Sequence, residues 1–390
     1  MINIIQAFVG LNVIYQILLY FIGLYRRKEK IIYQNNKRFA CIIPAHNEEK
    51  VIENLVYSLK KQDYKKTMYD IFVICDNCTD NTAKIAEKAG AKVWIREDKN
   101  LKGKQWALKW AFEKIKVMYY DAVCVFDADN IVDKDFLKVM NDKLCKGNKL
   151  IQGYLDTKNP GDTWITKSYA ISYWIANRIS QLARYKVGLP AYLGGTGFCV
   201  DMELIKKYGW NVTTLVDDLE YSIQNILRGI KPTFAYDARV YDEKPLTLKA
   251  SMKQRLRWMQ GQADCIILYT IPLIKKILTT GSFIYIDSLI YLHNSLIILL
   301  NQLIILYSTV IMFIGGTSIL KIEILLRSLI FQVLYMVVPL LIERVKLKDI
   351  LGVIYQPIYM LTWIPLVVMG FIKRGNKEWV KTEHVRNINI

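Results

Sequence analysis

The sequence predicts an α/β domain with a parallel or mixed sheet, joined to transmembrane α-helices. Strand and helix patterns alternate between residues 38 and 129, which is typical of a parallel sheet covered by helices. Hydrophobic residues make up 53% of the 390 residues, and they are concentrated at residues 1–25 and 282–372. Apolar runs of this length are typical of membrane segments. We therefore expect a soluble domain between two membrane regions.

The first apolar segment, residues 1–25, contains no charged side chain and is followed directly by RRKEK. It is long enough to cross a bilayer core of about 30 Å. The basic cluster follows the apolar run and no small-residue cleavage site is evident, so we expect a retained anchor rather than a signal peptide. The positive-inside rule places the cluster in the cytoplasm.

The second apolar block, residues 282–372, contains three further candidate membrane segments. The basic groups at 343–349 and 373–377 both favour the cytoplasm, which a single span between them cannot satisfy. Pro357 and Pro365 can break the last segment into a re-entrant or interfacial piece. The topology of this end therefore stays open.

The formal net charge of +18 is compatible with either anionic lipid or nucleic acid as a partner. Basic groups beside membrane segments attract anionic lipid, whereas nucleic-acid binding requires a basic stripe or a recognition motif. The sequence contains no such stripe or motif. We expect membrane lipids as partners, no nucleic acid, and a multi-pass protein of the cell membrane whose central domain is cytoplasmic.

The central region carries the alternating pattern from which the sheet is predicted. Strands are expected at 38–45, 69–77, 91–97 and 121–129, and helices at 47–62, 79–90 and 103–116. Thr79 or Asp80 is the expected N-cap of the second helix, and Gly90 is expected to end it.

Polar and small side chains follow the ends of these strands: Pro44, Ala45, Asn47, Glu48, Asp76, Asp127 and Asp129. Ligands of parallel sheets bind beyond the carboxyl ends of the strands, so we expect these residues to meet. On a continuing strand Asp127 and Asp129 would point the same way, which predicts a divalent cation site, although a simple turn is the alternative. Neither G-x-G-x-x-G nor a Walker sequence is present, which argues against a dinucleotide or P-loop site.

All seven cysteines lie between residues 41 and 265, in the region expected in the cytosol. Cys75 and Cys78 form a C-x-x-C pair, which can indicate redox chemistry or half of a zinc site. No second pair with zinc spacing follows. Reduced thiols are therefore the expected state.

The second half of the central region contains three further groups of candidate functional residues. Asp217 and Asp218 open a helical stretch, where they can favour the helix dipole or provide a general base. Gln254, Arg257 and Trp258 would share one helix face, suited either to phosphate and sugar or to a membrane interface. The glycine-rich segment at 192–201 allows close approach to a ligand or a tight turn. Lys104 can bind a diphosphate or simply face solvent.

The segments PAHNEE, DNCTDNT, KGKQWAL, FDADN, GTGF, VDDLEYS and QRLRW occur in this order. Together they resemble family 2 glycosyltransferases, above all the membrane-embedded cellulose, hyaluronan and poly-N-acetylglucosamine synthases. The resemblance covers about residues 36–265 and the flanking spans. It implies a GT-A fold, a UDP-sugar donor, Mn²⁺ or Mg²⁺, and inverting transfer at the cytoplasmic membrane face. In processive members the polymer passes through a channel between the spans.

The resemblance also implies roles for particular residues. The loop from Pro44 to Glu48 and Asp76 would contact the uracil or ribose, Asp127 would lie against the UDP, and Asp129 would ligate the metal. Asp218 would be the catalytic base, and Asp217 replaces the glutamate usual in this pair. The pyrophosphate and the acceptor would be held by Gly195, Thr196, Gly197, Phe198, Asp217, Gln254, Arg257 and Trp258.

Three functions remain open at this level. The first is elongation of a β-linked polysaccharide from UDP-N-acetylglucosamine or UDP-glucose, with coupled translocation and a small accessory membrane subunit as a compatible partner. The second is addition of a single sugar to a lipid or short glycan acceptor, and the third is a non-enzymatic binding subunit. The expected domains are an anchor at 1–25, the GT-A domain at 36–250, interfacial helices at 251–280, spans at 282–372 and a basic tail at 373–390.

Overall fold

The computed structural model describes residues 2–33, 36–314 and 319–375. An eight-stranded mixed sheet forms the centre of the described chain. Its strands are β1 (Phe39–Ala45), β2 (Tyr69–Asp76), β3 (Lys92–Arg96), β4 (Ala122–Val125), β5 (Ile131–Val132), β6 (Leu150–Thr157), β7 (Phe198–Asp201) and β8 (Thr233–Asp242).

The helices are α1 (Ile2–Leu24), α2 (Ile52–Lys60), α3 (Thr82–Lys88), α4 (Lys104–Ile115), α5 (Phe136–Cys145), α6 (Trp164–Ala176), α7 (Ala183–Lys186), α8 (Met202–Tyr208), α9 (Asp217–Leu227), α10 (Leu248–Thr280), α11 (Phe283–Leu292), α12 (Asn294–Ile314), α13 (Ile319–Ile342), α14 (Leu347–Ile350), α15 (Gln356–Leu361) and α16 (Trp363–Ile372). Short 3₁₀ segments lie at Lys66–Met68 and Leu351–Tyr355, and a π-helical turn joins α6 to α7 at Asn177–Leu182.

The strand order is β3-β2-β1-β4-β7-β6-β8-β5. The first four strands are parallel, and β7 then runs antiparallel to both β4 and β6. β6 and β8 are parallel, and β5 closes the edge antiparallel to β8. The sheet is therefore mixed, and its parallel half comes from the predicted strand–helix alternation.

Both faces of the sheet are covered, which explains the continuous apolar character of its strands. Along β1, Cys41 and Ile43 belong to the core on one face, while Ala40 and Ile42 belong to the core on the other. All four side chains are fully buried. The alternation of a strand thus supplies two cores at once.

The predicted strands and helices of residues 38–125 are present but differ at their ends, most at α2, which covers Ile52–Lys60 rather than 47–62. β4 ends at Val125 rather than continuing to residue 129, because the backbone N–H of Asp127 turns away to the Thr196 side chain. α3 begins at Thr82 with Asn81 as its N-cap, although Asp80 accepts from the Thr82 backbone N–H at 3.0 Å. Gly90 follows the helix end with φ +97°, as predicted for its stop.

Two apolar stretches in the described residues are long enough to cross a membrane, Asn294–Ile311 and Leu347–Ile372. Gly10–Leu24, Phe283–Leu292 and Leu329–Ile342 are shorter apolar helices. The expectation of an anchor and three further spans is thus supported for two segments only. Most of the predicted basic tail lies outside the described residues.

The last apolar stretch is broken, as its prolines predicted. It is divided into α14, a 3₁₀ segment, α15 and α16. Pro357 lies in the first turn of α15, and Pro365 in the first turn of α16. Proline is tolerated there because first-turn N–H groups have no intrahelical partner.

Arg178 in the π-helical turn joins α1 and the end of α13 to the sheet domain through hydrogen bonds and an ion pair. Its guanidinium donates to the backbone oxygens of Gly23 and Leu24, and it pairs with Glu343 at 2.5 Å. The side chains of both Arg178 and Glu343 are buried. A Cβ at Gly23 would lie 2.6 Å from the Arg178 backbone oxygen, so the close crossing of α1 requires glycine there.

Candidate active site

A cavity of about 2140 Å³ opens beyond the carboxyl ends of β1, β2 and β4. The part that we call the sheet end is lined by residues 44–48, 76–79, 127–129 and 217–219. It continues into a helix end between α1, α12, α13, α15 and α16. One space therefore joins the polar strand ends to the apolar helices.

Two asparagines fix the loops at the sheet end. Asn47 and Asn77 adopt left-handed backbones, with φ of +57° and +50°, which asparagine tolerates better than most residues. The Asn47 side chain accepts from the Thr79 backbone N–H at 2.7 Å, and that of Asn77 accepts from the Asp98 backbone N–H at 2.9 Å. These bonds join the loops after β1, β2 and β3.

Asp76 lines the cavity and is 4% exposed. Its carboxylate pairs with the buried Arg96 at 2.5 Å, and His46 Nδ1 lies 2.7 Å from its backbone oxygen. Asp76 and Arg96 are opposite each other in the β2–β3 ladder. Arg96 was missed from the sequence, because that contact depends on the register between two separated strands.

Asp127 and Asp129 lie in a turn after β4, so strand alternation does not orient them. The Asp127 N–H donates to Thr196 Oγ1 at 2.9 Å and to Asn130 Oδ1 at 3.1 Å. Asp129 accepts from the Glu243 backbone N–H at 3.0 Å, and Lys158 donates to its backbone oxygen at 2.6 Å. Asp127 and Asp129 therefore lie in a turn, and both still line the cavity.

A third aspartate, Asp242 at the end of β8, lines the cavity together with Asp127 and Asp129. Burial, together with the charges of nearby Asp129 and Asp127, raises the pKa of Asp242 above its usual range. Lys244 pairs with one of its oxygens at 2.7 Å. Asp242 Oδ1 is buried without a hydrogen-bond partner among the described residues. An acid directly after a strand was the sequence signal that could have identified it.

These residues fit a divalent cation bound together with a phosphate ligand. Carboxylate oxygens are the ligands that Mg²⁺ and Mn²⁺ prefer, and the unpartnered Asp242 oxygen is available to bind a cation. The described residues contain no cluster of three or more His, Cys, Asp or Glu side chains close enough to hold a metal. Mg²⁺ sites often use one or two carboxylates and complete their coordination with substrate phosphates.

Lys104 is the first residue of α4. Its side chain reaches the turn at residues 127–129, which we call the aspartate turn. Its ammonium pairs with Asp127 and donates to the Gly195 backbone oxygen at 2.5 Å. Burial opposes its charge, but the carboxylates of Asp127, Asp217 and Asp218 together raise the pKa of Lys104 above its usual value. The amine is therefore a fixed positive charge in the cavity rather than a solvent-facing side chain.

Asp217 and Asp218 are the first two residues of α9, and both line the cavity. Burial and then the neighbouring charge of Asp217 raise the pKa of Asp218 to about 7. Burial also raises the pKa of Asp217, against the charges of Lys104 and Arg257. A carboxylate with a pKa near neutrality can take a proton from a hydroxyl at physiological pH.

Gln254, Arg257 and Trp258 on α10 all line the cavity. Gln254 accepts from the Tyr169 hydroxyl at 3.1 Å, and the Trp258 ring meets the Tyr169 ring edge-on at 6.2 Å. Arg257 lies close enough to Asp217 to act on its pKa. One face of α10 therefore presents a cation and an indole toward the acids.

The glycine-rich segment divides into cavity and core residues. Gly195 and Thr196 line the cavity, and the Thr196 hydroxyl binds Asn130 and so supports the aspartate turn. Gly197 and Phe198 do not line it, in contrast to their predicted acceptor role. Phe198 begins β7, is 1% exposed and stacks on Trp210. Its aromatic ring fills the core because strand alternation turns it away from the cavity.

Tyr173 on α6 is a further cavity residue that the sequence did not identify. Burial, then the charges of Asp242, Asp218 and Asp127, raises the pKa of its hydroxyl. Lys244 Nζ lies 3.3 Å from the centre of its ring. Tyr173 thus lines the cavity close enough to Asp242, Asp218 and Asp127 for their charges to act on its hydroxyl.

The seven cysteine thiols are free. Cys78 lines the cavity beside Asn77, whereas Cys75 is buried in β2. The Cys78 thiol donates to the Ala45 backbone oxygen at 3.4 Å. In this structure the pair therefore supports the loop after β2.

The model of the family described as "Glycosyltransferase like family 2" matches residues 36–261. The probable glycosyltransferase YdaM of Bacillus subtilis (strain 168) is 29% identical over 250 residues, 61% of this chain and 58% of that protein. The beta-monoglucosyldiacylglycerol synthase of Synechocystis sp. is 28% identical over 237 residues, 56% of this chain and 47% of that protein.

The chain spans about half the length of the curated relatives it matches. Among solved structures, the mannosyltransferase PcManGT from Pyrobaculum calidifontis, in complex with GDP-Man and Mn²⁺, has the same fold. Its TM-score is 0.63 at 16% identity, covering 96% of this chain and 99% of that one. The family match covers more than half of the chain and includes the acids described above. The chain therefore belongs to the family described as "Glycosyltransferase like family 2" and has a GT-A-like fold.

Proposed function

We propose that this enzyme uses a UDP-sugar, UDP-N-acetylglucosamine or UDP-glucose, to elongate a β-linked polysaccharide at the cytoplasmic membrane face. The observation that carries the proposal is the single cavity, which joins the catalytic acids to a path between apolar helices. A transferase with a small soluble acceptor has no need of such a path. The product would leave the acids through the helix end as it grows.

The sheet end suits the donor. The loops at 44–48 and 76–79 would surround the base and ribose, with Asp76 held by Arg96. Lys104 and Arg257 would face the diphosphate, where fixed positive charges stabilise the charge that develops on the leaving group. A divalent cation bound by one or two carboxylates of Asp127, Asp129 and Asp242, together with the substrate phosphates, would supply further charge stabilisation there.

Asp218 would serve as the general base. It takes the proton of an acceptor hydroxyl, whose oxygen forms a bond to the anomeric carbon from the face opposite the diphosphate. The bond between the anomeric carbon and the diphosphate oxygen breaks, and its electron pair leaves with UDP. The configuration inverts, so an α-linked donor gives a β-linked product.

The helix end carries polar side chains that a sugar polymer would satisfy. Asn12 is 6% exposed, and its Nδ2 has no hydrogen-bond partner among the described residues. Gln302 Nε2 donates to the Met360 backbone oxygen at 3.2 Å, but its Oε1 is buried without such a partner. Buried amides between apolar helices are costly unless they bind polar groups. Trp258, Tyr359 and Trp363 add aromatic surface on which sugar rings can stack.

The apolar helices support a membrane location. Almost no residue of Asn294–Ile311 is buried within the protein, and a large exposed apolar surface requires a partner. We propose an anchor at 1–25, a cytosolic domain at 36–250, interfacial helices at 251–280 and membrane segments within 282–372. The domain would then face the cytoplasm with its cavity opening toward the bilayer.

A second candidate is transfer of one sugar to a lipid acceptor. The resemblance to a beta-monoglucosyldiacylglycerol synthase favours it. In that case the helix end would receive acyl chains, and the acceptor hydroxyl would reach Asp218 from the bilayer. The unpartnered amides favour a hydroxyl-rich polymer over acyl chains, because an acyl chain leaves them unsatisfied.

The activity is tested by UDP release from a panel of UDP-sugars, with membranes that contain the full chain and Mn²⁺ or Mg²⁺. Asp218→Asn and Asp129→Ala should each reduce UDP release by about a hundredfold or more. Asp63→Asn is the matched control, because this aspartate is exposed and pairs with Lys138 away from the cavity. Normal release from both active-site variants would contradict the proposal.

A further inference from the structure

A second cavity, of about 480 Å³, lies where β6, β8 and the turn between α13 and α14 meet. It shares no lining residue with the catalytic cavity. Its walls are rich in charged and polar side chains from residues 154–162 and 343–349. A separate polar cavity of this size can hold a small charged group.

Three cations at this cavity remain available for a ligand. The side chains of Arg344, Lys346 and Lys348 are exposed and form no ion pair with any residue that the structure describes. The other two cations are engaged: Arg239 pairs with Asp156 at 3.3 Å, and Lys158 lies 3.7 Å from Glu243. The uncompensated charge is therefore concentrated in the turn after α13.

Arg344 is held in the left-handed region, with φ of +58°. This backbone conformation is unusual for a residue other than glycine, asparagine or aspartate, and it costs free energy. The backbone N–H of Val345 donates back to the Leu340 oxygen at 3.0 Å and fixes the turn. Arg344 thus occupies a position where glycine would avoid the strain of the left-handed backbone.

Two buried oxygens at the cavity have no hydrogen-bond partner among the described residues, Thr157 Oγ1 and Asp349 Oδ1. The two residues are only 5% and 6% exposed. Leaving such buried groups unpaired costs free energy. A ligand that carries hydroxyl groups would satisfy both, because a hydroxyl can donate to Asp349 and accept from Thr157.

Apolar surface adjoins this polar cavity on both sides. The basic turn separates the apolar segments Leu329–Ile342 and Leu347–Ile372. Leu347, Leu351 and Ile354 are 71%, 68% and 75% exposed. Apolar surface next to a basic cavity matches a molecule with acyl chains on one side and a phosphate on the other.

We propose that this cavity binds the headgroup of an anionic phospholipid of the phosphoglycerol type. The phosphate pairs with Arg344, Lys346 and Lys348, and the glycerol hydroxyls bind Asp349 and Thr157. Three unpaired cations outnumber one unpaired carboxylate, which favours a ligand with net negative charge. The assignment rests on the membrane location proposed above, and it adds a lipid site separate from the donor and acceptor sites.

The test uses the purified full chain in a neutral detergent, with thermal unfolding measured at increasing dihexanoyl phosphatidylglycerol. The lipid should raise the Tm of the wild-type protein by several degrees, because it binds the folded state. The triple variant Arg344→Asn, Lys346→Gln and Lys348→Gln should lose most of this shift. Asparagine is chosen at 344 because it tolerates the left-handed backbone.

A matched triple variant, Lys84→Gln, Lys88→Gln and Lys206→Gln, removes the same charge from exposed positions on α3 and α8 and should retain the shift. A triple variant at 344, 346 and 348 that shifts like wild type, or a wild type that does not shift, would overturn the proposal. An equal shift with inorganic phosphate would overturn the lipid as the source of the phosphate. An equal shift with dihexanoyl phosphatidylcholine would overturn the requirement for a net negative headgroup that carries hydroxyls.

UDP release is measured on the same preparations. Retained release without a lipid shift would overturn the lipid site alone, whereas a lipid shift without release would leave the site standing and contradict the proposed activity. The two proposals therefore fail independently.

Discussion

At the scale of the residue, the candidate chemistry depends on how the cavity distributes charge among its acids. Burial and the charge of Asp217 raise the pKa of Asp218 to about 7, while Asp127 is paired with Lys104. Asp129 is held by backbone contacts, and Asp242 retains a buried oxygen without a described partner. Acids of one residue type thus receive different roles from their surroundings: base, cation ligand and charge partner.

The pH profile tests the role of Asp218. A base must be deprotonated, so we expect kcat/KM to fall about tenfold per pH unit below an apparent pKa near 7. Asp217→Asn removes the negative charge that helps to raise this pKa, so the acid limb should move to lower pH. The measurement is UDP release between pH 5 and 9. An acid limb that Asp217→Asn leaves in place would argue against Asp218 as the group that titrates.

Asp242 is expected to act on the metal rather than on the proton transfer. Asp242→Asn keeps the size of the side chain but removes its charge, so activation should require about tenfold more Mn²⁺. The acid limb of the pH profile should stay in place. The measurement is a Mn²⁺ titration of UDP release, with Asp237→Asn on the same strand as a control outside the cavity. An unchanged Mn²⁺ requirement would contradict the role of Asp242.

At the scale of the element, turns rather than strands carry the site. β4 ends at Val125, and the loop that follows is fixed by Thr196 and Asn130. α9 begins at the cavity with two acids, and α10 presents Arg257 and Trp258 from its side. Each element is held by buried packing, so its end or its face is positioned before any ligand binds.

Gly195 tests the contact between the turn before β7 and Lys104. Its φ is +87°, so alanine should destabilise the protein by about 1 kcal/mol and shift the backbone oxygen that accepts from Lys104. Gly188→Ala is a matched control, with φ of +74° and only the flexible end of Lys231 nearby at 3.7 Å. We expect similar losses of Tm in both variants but a loss of UDP release only in Gly195→Ala. Equal activities would contradict a role for this contact.

The helix end is tested by replacing its amides with an isostere of lower polarity. Asn12→Leu and Gln302→Leu should leave UDP release largely intact but shorten the product, because the growing chain loses partners along its path. Leu18→Ile on the exposed face of α1 is the control. Product length is measured by gel filtration of labelled polymer. Full-length product from both amide variants would contradict a sugar path at this end.

At the scale of the whole molecule, local patterns predicted the parallel half of the sheet and the grouping of its strand ends. They could not predict Asp76–Arg96 or the approach of Asp242 to the aspartate turn, because those contacts join separated strands. The family resemblance implied an acceptor role for Phe198, whereas its side chain on β7 packs into the core. The proposed membrane path follows from the same assembly, in which α1 and the end of α13 are tied to the domain through Arg178.

The most direct test of the central claim is the size of the product made by membranes that contain the full chain, from labelled UDP-sugars with Mn²⁺ or Mg²⁺. The proposal predicts a long alcohol-insoluble polymer from one donor, absent in Asp218→Asn membranes. Label confined to a lipid extract or to a single added sugar would contradict processive elongation and favour the lipid acceptor instead.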